Sequence, residues 1–266
     1  MRHAVNLPPF GPFAEPAIVV ELAVAAEDAG WDGIFLWDHV VRPHEPHRAV
    51  VADPWILLAA IATATSRLRL GPMITPLARR RPQKVARETV TLDHLSEGRL
   101  TFGVGLGVDS GGELGRFGET TDDRARAAAY DEALELLQAL WSGEEVDHHG
   151  PHFTADHVTF LPRPVQQPRI PLWGAAWGGG ARKPVRRAAR LDGLFPVNTS
   201  LDQLAGMLDV VRAERGDLDG YDVVLAPEEP TGADELAALG VTWVMHPVDD
   251  ARPVADVMAE IAAGPR

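Results

Sequence analysis

The hydrophobic residues of the chain fall into short apolar runs that alternate with longer segments of helical periodicity. Residues 3–7 form the first run, and residues 18–29 follow it with apolar side chains on one helical face. Gly30 ends that segment, as glycine often does at the carboxyl end of a helix. The pattern recurs and predicts strands at residues 3–7, 33–37, 68–74, 100–104, 170–174, 193–197, 222–226 and 241–246. It predicts helices at residues 18–29, 82–95, 123–141, 182–190, 201–215 and 233–239, another that begins after Asp53, and a last one that ends at Ala262.

Alternating strands and helices are typical of parallel βα units, of which this chain has eight. Its 266 residues match the roughly 250 residues of a (β/α)8 barrel. We therefore predict an α/β fold, a single (β/α)8 TIM barrel in one domain over residues 1–266. Residues 146–168, rich in histidine, proline and β-forming residues, predict an inserted hairpin before the fifth strand. A doubly wound fold would need a G-x-G-x-x-G turn that opens a helix, whereas no helical pattern follows Gly103, Gly105 and Gly107.

Charge and composition exclude several classes of protein. The chain has 25 basic and 38 acidic residues and a net charge of −13, which argues against a nucleic-acid partner. It contains no cysteine, which excludes disulfides, zinc–thiolate sites and iron–sulfur clusters. The longest apolar run, residues 55–62, is far shorter than the ~20 residues that cross a bilayer. The first residues lack the apolar stretch of a signal peptide, so we expect a cytoplasmic protein without a membrane partner.

In a barrel enzyme the active site lies at the carboxyl ends of the strands, so the candidate residues are those that follow the apolar runs. Asp38 and His39 follow the second strand, where a histidine beside a carboxylate can transfer a proton or contact a bound ring. A loop histidine hydrogen-bonded to the backbone explains His39 equally well. Thr75 follows the third strand, where its hydroxyl either reaches a ligand or caps the turn.

Two glycine-rich segments also follow strands. Residues 105–107 follow the fourth strand, where alternate glycines either let a flat ligand approach the backbone or mark a tight bend of the barrel. Residues 174–180 follow the fifth strand and precede a helix with several basic residues. Free N–H groups at such a helix start favour an anion, so we predict a phosphate site there.

Two histidine-rich segments, residues 44–47 and 148–152, are interpreted as loops. Neither has the helical H-E-x-x-H spacing, and the first strand lacks the paired histidines of metal-dependent barrel hydrolases. Residues 217–222 have a calcium-loop pattern, but Tyr221 takes the place of a ligand and the closing glutamate is missing. We predict a turn there, and no metal in the active site.

Three segments of the chain, residues 26–40, 65–107 and 170–197, resemble the bacterial-luciferase-like flavin oxidoreductases. The resemblance extends over almost the whole chain and is least diagnostic beyond residue 198. It implies a single TIM barrel and a flavin-dependent oxidoreductase. The first interpretation is a luciferase-like monooxygenase that uses reduced FMN on a small organic substrate. The alternative is a reductase or dehydrogenase that depends on a deazaflavin, coenzyme F-420.

The resemblance also implies which residues form the site. His39 and Asp38 would be catalytic, with Asp38 beside the isoalloxazine ring. The cofactor-binding residues would be Asp38, Thr75, Gly105, Leu106, Gly107, Ala175, Gly178, Gly179 and Gly180, of which the last three would take the phosphate. Deazaflavin-dependent sugar-phosphate dehydrogenases of this family carry an acidic residue directly after the glycines of the fourth strand, where this chain has Val108 and then Asp109. The choice between FMN and deazaflavin is therefore left open.

With FMN, a separate flavin reductase would supply the reduced cofactor, because the chain has no nicotinamide-binding fingerprint. A homodimer is left open. Two other classes are kept as alternatives. A metal-dependent TIM-barrel hydrolase would lose activity to chelators, and a non-catalytic flavin-binding protein would bind the ring without turnover.

Overall fold

The computed structural model describes residues 1–43, 45, 47, 50–178, 182–227 and 231–265. Its strands are β1 (Arg2–Leu7), β2 (Gly33–Leu36), β3 (Arg69–Pro72), β4 (Thr75–Pro76), β5 (Phe102–Gly105), β6 (Glu145–His149), β7 (Thr154–Thr159), β8 (Leu172–Trp177), β9 (Gly193–Val197), β10 (Asp222–Leu225) and β11 (Trp243–Pro247). Its α-helices are α1 (Pro16–Asp28), α2 (Pro54–Ala64), α3 (Pro82–Leu95), α4 (Asp123–Trp141), α5 (Arg182–Ala188), α6 (Leu201–Arg215), α7 (Ala233–Leu239) and α8 (Val254–Ala262).

Nine of these strands form one parallel sheet that closes as a barrel. Their order is β3-β2-β1-β11-β10-β9-β8-β5-β4. Leu70 of β3 pairs with Leu100, just before β5, and this bridge joins the two ends of the sheet. β3 and β4 are two segments of one barrel strand, separated by Met73 and Ile74. The barrel therefore has the predicted eight strands, and the predicted TIM-barrel fold is confirmed.

β6 and β7 form a separate antiparallel pair between α4 and β8, as predicted for the inserted hairpin. Its turn packs on α4, where the Glu132 carboxylate accepts hydrogen bonds from the backbone N–H groups of His152 and Phe153. The insertion lengthens one connection of the barrel and leaves the order of its strands unchanged.

Local sequence signals explain where the helices begin. The Asp53 side chain accepts hydrogen bonds from the N–H groups of Trp55 and Ile56 at 2.9 and 3.0 Å, which caps α2. Ser200 and Gln203 form a capping box at the start of α6. α3, α4, α6 and α7 begin and end at the predicted residues. Within the described part of the chain, no helix is both long enough and apolar enough to cross a membrane.

The limits of the strands differ more from the prediction. β5 and β8 begin and end further along the chain than the apolar runs at residues 100–104 and 170–174. Residues 175–177 are predicted to begin the loop after the fifth strand, yet they pair in register with residues 195–197 of β9. Hydrogen bonds to the neighbouring strand β9 extend β8, and a local sequence pattern cannot predict such long-range pairing.

Two apolar layers stabilise the barrel. Between the sheet and the surrounding helices, side chains such as Leu22 and Leu58 are fully buried. Inside the barrel, Phe35, Trp173 and Trp243 pack ring against ring with centroids between 5.2 and 6.1 Å apart. Four apolar side chains pack on this interior cluster but stay half-buried towards the carboxyl end of the barrel, namely Ile74, Ala175, Val197 and Ala226.

Candidate active site

The carboxyl end of the barrel is an open mouth with apolar walls. Ile74, Ala175, Val197 and Ala226 line it with half-buried side chains, and Trp177 at the end of β8 is 56% exposed. A ligand that covers such a wall removes apolar surface from water, which is favourable. The mouth therefore offers apolar surface to a ligand.

His39 lies at this mouth, just after β2. Its Nδ1 atom is 3.1 Å from Glu113 Oε2 and 3.2 Å from Oε1, and its side chain is 19% exposed. The rings of Phe10 and Trp37 lie beside the imidazole, with centroids 5.9 and 6.0 Å away. A carboxylate only accepts hydrogen bonds, so Nδ1 carries the hydrogen and the neutral ring keeps Nε2 as an acceptor. No described residue forms a hydrogen bond with Nε2.

Glu113 is the carboxylate that orients His39, and no motif in the sequence points to it. It follows a glycine-containing turn after β5, and its side chain is 1% exposed. It also accepts a hydrogen bond from the Val40 N–H at 3.2 Å, and its Oε2 atom lies 3.1 Å from Arg79 Nη1. Asp109 is the acidic residue that the sequence places close to the glycines of the fourth strand. Its carboxylate instead accepts hydrogen bonds from the N–H groups of residues 114 and 115 within its own loop. The carboxylate partner of His39 therefore comes from a distant loop.

Asp38 is oriented differently from the prediction. Its carboxylate is buried and accepts hydrogen bonds from Thr75 Oγ1 at 2.7 Å, Trp55 Nε1 at 3.2 Å and Arg80 Nη2 at 2.8 Å. Among the described contacts of Asp38, none is with the His39 imidazole. The carboxylate that orients His39 is therefore Glu113. The Thr75 hydroxyl donates its hydrogen bond to Asp38, and contact of either residue with a cofactor remains a prediction.

Two arginines and two carboxylates form an ion cluster next to His39. Arg79 lies 3.2 Å from Asp38 and 3.1 Å from Glu113, and Arg80 lies 2.8 Å from Asp38. The two positive and two negative charges balance. Removing such ions from water costs several kcal/mol each, and their attraction offsets this cost only while every partner is present. The cluster links β2, β4 and the loop after β5, and it holds Glu113 in place.

Packing explains the predicted glycines at the end of β5. A Cβ atom on Gly105 would lie 2.5 Å from Ile74 Cδ1. Gly107 has a φ of +72°, which favours glycine, and a Cβ atom there would lie 2.7 Å from Pro76 Cβ. The glycines allow β5 to approach its neighbour closely. Contact of these residues with a cofactor remains a prediction.

The backbone after β5 is held by Arg126 of α4. Its Nη1 atom donates hydrogen bonds to the carbonyl oxygens of Leu106 and Gly107, each at 3.1 Å. The Arg126 side chain is buried, so these bonds are protected from water. Leu106 itself is half-buried at the rim of the mouth.

The predicted phosphate segment is described only in part. Gly178 has a φ of +68°, and its N–H donates to the Val197 carbonyl at 3.1 Å. That amide already has a partner within the protein. Gly179 and Gly180 lie outside the described residues. The phosphate site at Gly178, Gly179 and Gly180 remains a prediction.

Two surface cavities lie away from the mouth. One of about 650 Å³ is lined by residues of α4 and α5, including Asp131 and Arg187. The other, of about 400 Å³, lies beside α8 and is lined by Trp31 and His246. Neither is lined by His39 or Glu113, so the assignment of the active site rests on the strand ends and on that pair.

A histidine–carboxylate pair at the mouth of a barrel is compatible with several chemistries, so the class of the protein is decided by the family that its sequence matches. Residues 5–258 match the family described as luciferase-like monooxygenase. The chain belongs to this family, and with it to the oxidoreductases, which confirms the resemblance seen in the sequence.

Three known proteins illustrate the breadth of the family. The F420-dependent glucose-6-phosphate dehydrogenase of Beutenbergia cavernae is 38% identical over 171 residues, which cover 63% of this chain and 49% of that protein. The solved structure of the coenzyme F420 dependent tetrahydromethanopterin reductase from Methanopyrus kandleri has a TM-score of 0.79 at 18% identity, covering 98% of this chain and 97% of that chain. The monooxygenase RslO1 from Streptomyces bottropensis has a TM-score of 0.71 at 24% identity, covering 90% and 75%.

These likenesses differ in what they establish. The chain spans about half the length of the curated dehydrogenases that it matches. The two solved structures, at low identity, establish the fold. They leave the cofactor and the substrate of this chain open.

Proposed function

We propose that the protein is a deazaflavin-dependent oxidoreductase that transfers a hydride to or from a small, neutral organic substrate. The observation that carries this proposal is the His39–Glu113 pair, which presents an imidazole nitrogen at the apolar mouth of the barrel. Interconversion of an alcohol and a carbonyl moves a proton at oxygen whenever a hydride moves at carbon, and an oriented imidazole suits that proton transfer. The F420-dependent relative in sequence supports the same cofactor.

The residues of the pair have separate roles. A bound deazaflavin supplies the carbon that accepts or donates the hydride. His39 Nε2 accepts the proton of a substrate hydroxyl in oxidation and returns it to the carbonyl oxygen in reduction. Glu113 keeps the hydrogen on Nδ1 and stabilises the imidazolium, since its oxygens lie 3.1 and 3.2 Å from that nitrogen. Phe10 and Trp37 limit the access of water to the imidazole.

The apolar wall is the surface that would hold the ring of the cofactor. Ile74, Ala175 and Val197 offer half-buried side chains, and a stacked ring would complete their burial. Gly179 and Gly180 are the residues that we propose for the phosphate.

The balance of charge next to His39 favours a neutral substrate. Arg79 and Arg80 are paired with Asp38 and Glu113, so their charges are already compensated. A sugar phosphate needs cations that are free to pair with its phosphate. We therefore expect a small alcohol or carbonyl compound with an apolar body.

A reduced-FMN monooxygenase is the second candidate, favoured by the match to the family described as luciferase-like monooxygenase. In that case the apolar mouth would take an isoalloxazine ring, and a separate flavin reductase would supply it reduced. NADPH alone should then fail to reduce FMN bound to the purified protein within catalytic times, which stopped-flow absorbance would measure. We keep a cytoplasmic location as part of either proposal.

The test is a fluorescence titration of the protein with a deazaflavin and with FMN, followed by turnover of the bound cofactor with a panel of secondary alcohols and with glucose 6-phosphate. We expect the deazaflavin to bind and an alcohol to reduce it, with little or no reaction of the sugar phosphate. His39→Ala should retain cofactor binding and lower turnover by about 10²-fold. Glu113→Gln should act in the same direction. His152→Ala, which replaces an exposed histidine of the hairpin, is the matched control and should leave turnover unchanged.

Several results would overturn the proposal. Binding of neither cofactor at high micromolar concentration would remove a flavin-type function altogether. Oxygen-dependent product formation with reduced FMN, and none with deazaflavin, would select the monooxygenase. Full turnover by His39→Ala would show that His39 is a loop residue without a catalytic role. An activity that disappears only when a chelator is added would indicate a metal-dependent hydrolase.

A further inference from the structure

The hairpin formed by β6 and β7 carries a group of imidazoles and carboxylates on its exposed face. Side chains alternate along a strand, so Glu145, Asp147 and His149 share one face of β6. All three are exposed to solvent. His148 points the other way and contacts Glu132 of α4 at 3.1 Å. The exposed group is therefore separate from the contacts that dock the hairpin on the barrel.

A bulge brings residues of β7 to the same face. The pairing of the two strands shifts between Val146 and His148, and His157 has a φ of +48°. As a result, Asp147, His149 and Asp156 each place one possible ligand atom within 4.8 Å of the others. His149 Nε2 lies 2.9 Å from Asp147 Oδ1.

His157 has the orientation of a metal-binding histidine. Its Nδ1 atom lies 2.9 Å from Glu145 Oε1, while its Nε2 atom lies 3.8 Å from Asp147 Oδ2. A carboxylate that accepts from one nitrogen fixes the tautomer and leaves the other nitrogen free as a ligand, which is the common arrangement around protein-bound metals. Glu145 thus has the position of an outer partner, and Nε2 faces the carboxylate that the other ligand atoms also approach.

We propose that this face of the hairpin binds one divalent transition-metal ion, with Asp147, His149, Asp156 and His157 as ligands. Two imidazoles and two carboxylates suit Zn²⁺ and its neighbours in the first transition series better than Ca²⁺, which takes oxygen ligands. Ligand atoms around tetrahedral zinc are about 3.3 Å apart, given bonds of about 2.0–2.1 Å. Ligand atoms of Asp147, His149 and Asp156 lie within 4.8 Å of one another, and His157 Nε2 lies 3.8 Å from Asp147 Oδ2, so rotations of these exposed side chains would close the site.

The site would tie β6 to β7 and stabilise the hairpin. It has no part in the proposed oxidoreductase chemistry, because the hairpin joins the end of α4 to the beginning of β8, at the amino end of the barrel. The alternative interpretation of these side chains is a set of solvated ion pairs, which would contribute little to the stability of the protein.

The test is a competition titration of the full-length chain with Zn²⁺ against a chromogenic chelator at pH 7.5. We expect one equivalent to bind with micromolar or tighter affinity. His149→Ala and His157→Ala should each weaken binding at least 10-fold, and Glu145→Gln should weaken it by about 10-fold through loss of the outer partner. His152→Ala, an exposed histidine of the same hairpin outside the group, should bind as the unchanged chain does. Circular dichroism of each variant checks that the barrel is folded.

Spectra with Co²⁺ provide a second measurement. A bound tetrahedral Co²⁺ ion gives intense visible absorption that His149→Ala should abolish. Removal of metal with a chelator should lower the melting temperature and leave cofactor binding unchanged. The proposal is wrong if no stoichiometric binding occurs below about 100 μM, if His149→Ala binds Zn²⁺ unchanged, or if His152→Ala weakens binding as much as His149→Ala. The last two results would indicate diffuse binding by exposed histidines.

Discussion

Replacement of Asp38 separates a structural role from a catalytic one. The sequence suggests that Asp38 acts in catalysis, and on that basis Asp38→Asn should lower turnover in a protein of normal stability. The structure instead places the carboxylate in the ion cluster with Arg79, Arg80 and Glu113. We therefore expect Asp38→Asn to lower the free energy of unfolding.

The magnitude follows from the contacts that the asparagine cannot replace. Removal of one partner of a buried ion pair costs about 3–5 kcal/mol. The Arg80 side chain is 20% exposed, and water can solvate part of its charge, which places the loss near 3 kcal/mol. The asparagine NH₂ group would in addition face either the N–H groups of Arg80, which cannot accept a hydrogen bond, or the Thr75 hydroxyl, which would have to rotate to accept one. A loss of this size leaves a typical domain folded at room temperature.

Urea denaturation followed by circular dichroism at pH 7.5 measures this change. With a slope of about 3 kcal/mol per M, the midpoint should fall by about 1 M. Asp219→Asn, an exposed aspartate in the turn before β10, is the matched control and should shift the free energy of unfolding by less than about 0.5 kcal/mol. This prediction is wrong if Asp38→Asn lowers the free energy of unfolding by less than about 1 kcal/mol while turnover is lost. That result would indicate that Asp38 acts directly in catalysis and not mainly in the ion cluster.

Three further predictions concern stability. Gly206→Ala in α6, where an added Cβ meets nothing within 4 Å, should raise the free energy of unfolding by about 0.5–1 kcal/mol in a urea titration. Gly103→Ala should lower it by about 1–3 kcal/mol in the same assay, because its Cβ would lie 2.5 Å from the Pro72 carbonyl oxygen. Burial lowers the pKa of both His3 and His246, so the unfolded chain binds more protons and stability should fall as the pH drops below about 6.5. Urea midpoints at pH 7.5 and 5.5 should show this loss, and replacement of both histidines by asparagine should reduce it.

Much of the fold follows from the sequence because its signals are local. Helix periodicity, proline at the first helical position and a capping residue act within a few positions of one another. α4 and α6 consequently begin and end at the predicted residues. The alternation of elements also determines that the strands are parallel, and parallel closure brings their carboxyl ends to one mouth. The sequence therefore locates the candidate site and identifies His39.

The composition of that site depends on the tertiary structure. His39 and Glu113 are 74 residues apart, and Glu113 lies in a loop whose path no periodicity describes. The neighbour in sequence, Asp38, points into the ion cluster instead, because its side chain and that of His39 leave the chain in different directions. Arg79 joins the two carboxylates only once β4 and the loop after β5 are adjacent. Local interactions determine the helices and strands of this barrel. The pairing of its buried charges is decided only when the barrel closes, because each buried charge needs a partner that is distant in sequence and close only in the folded chain.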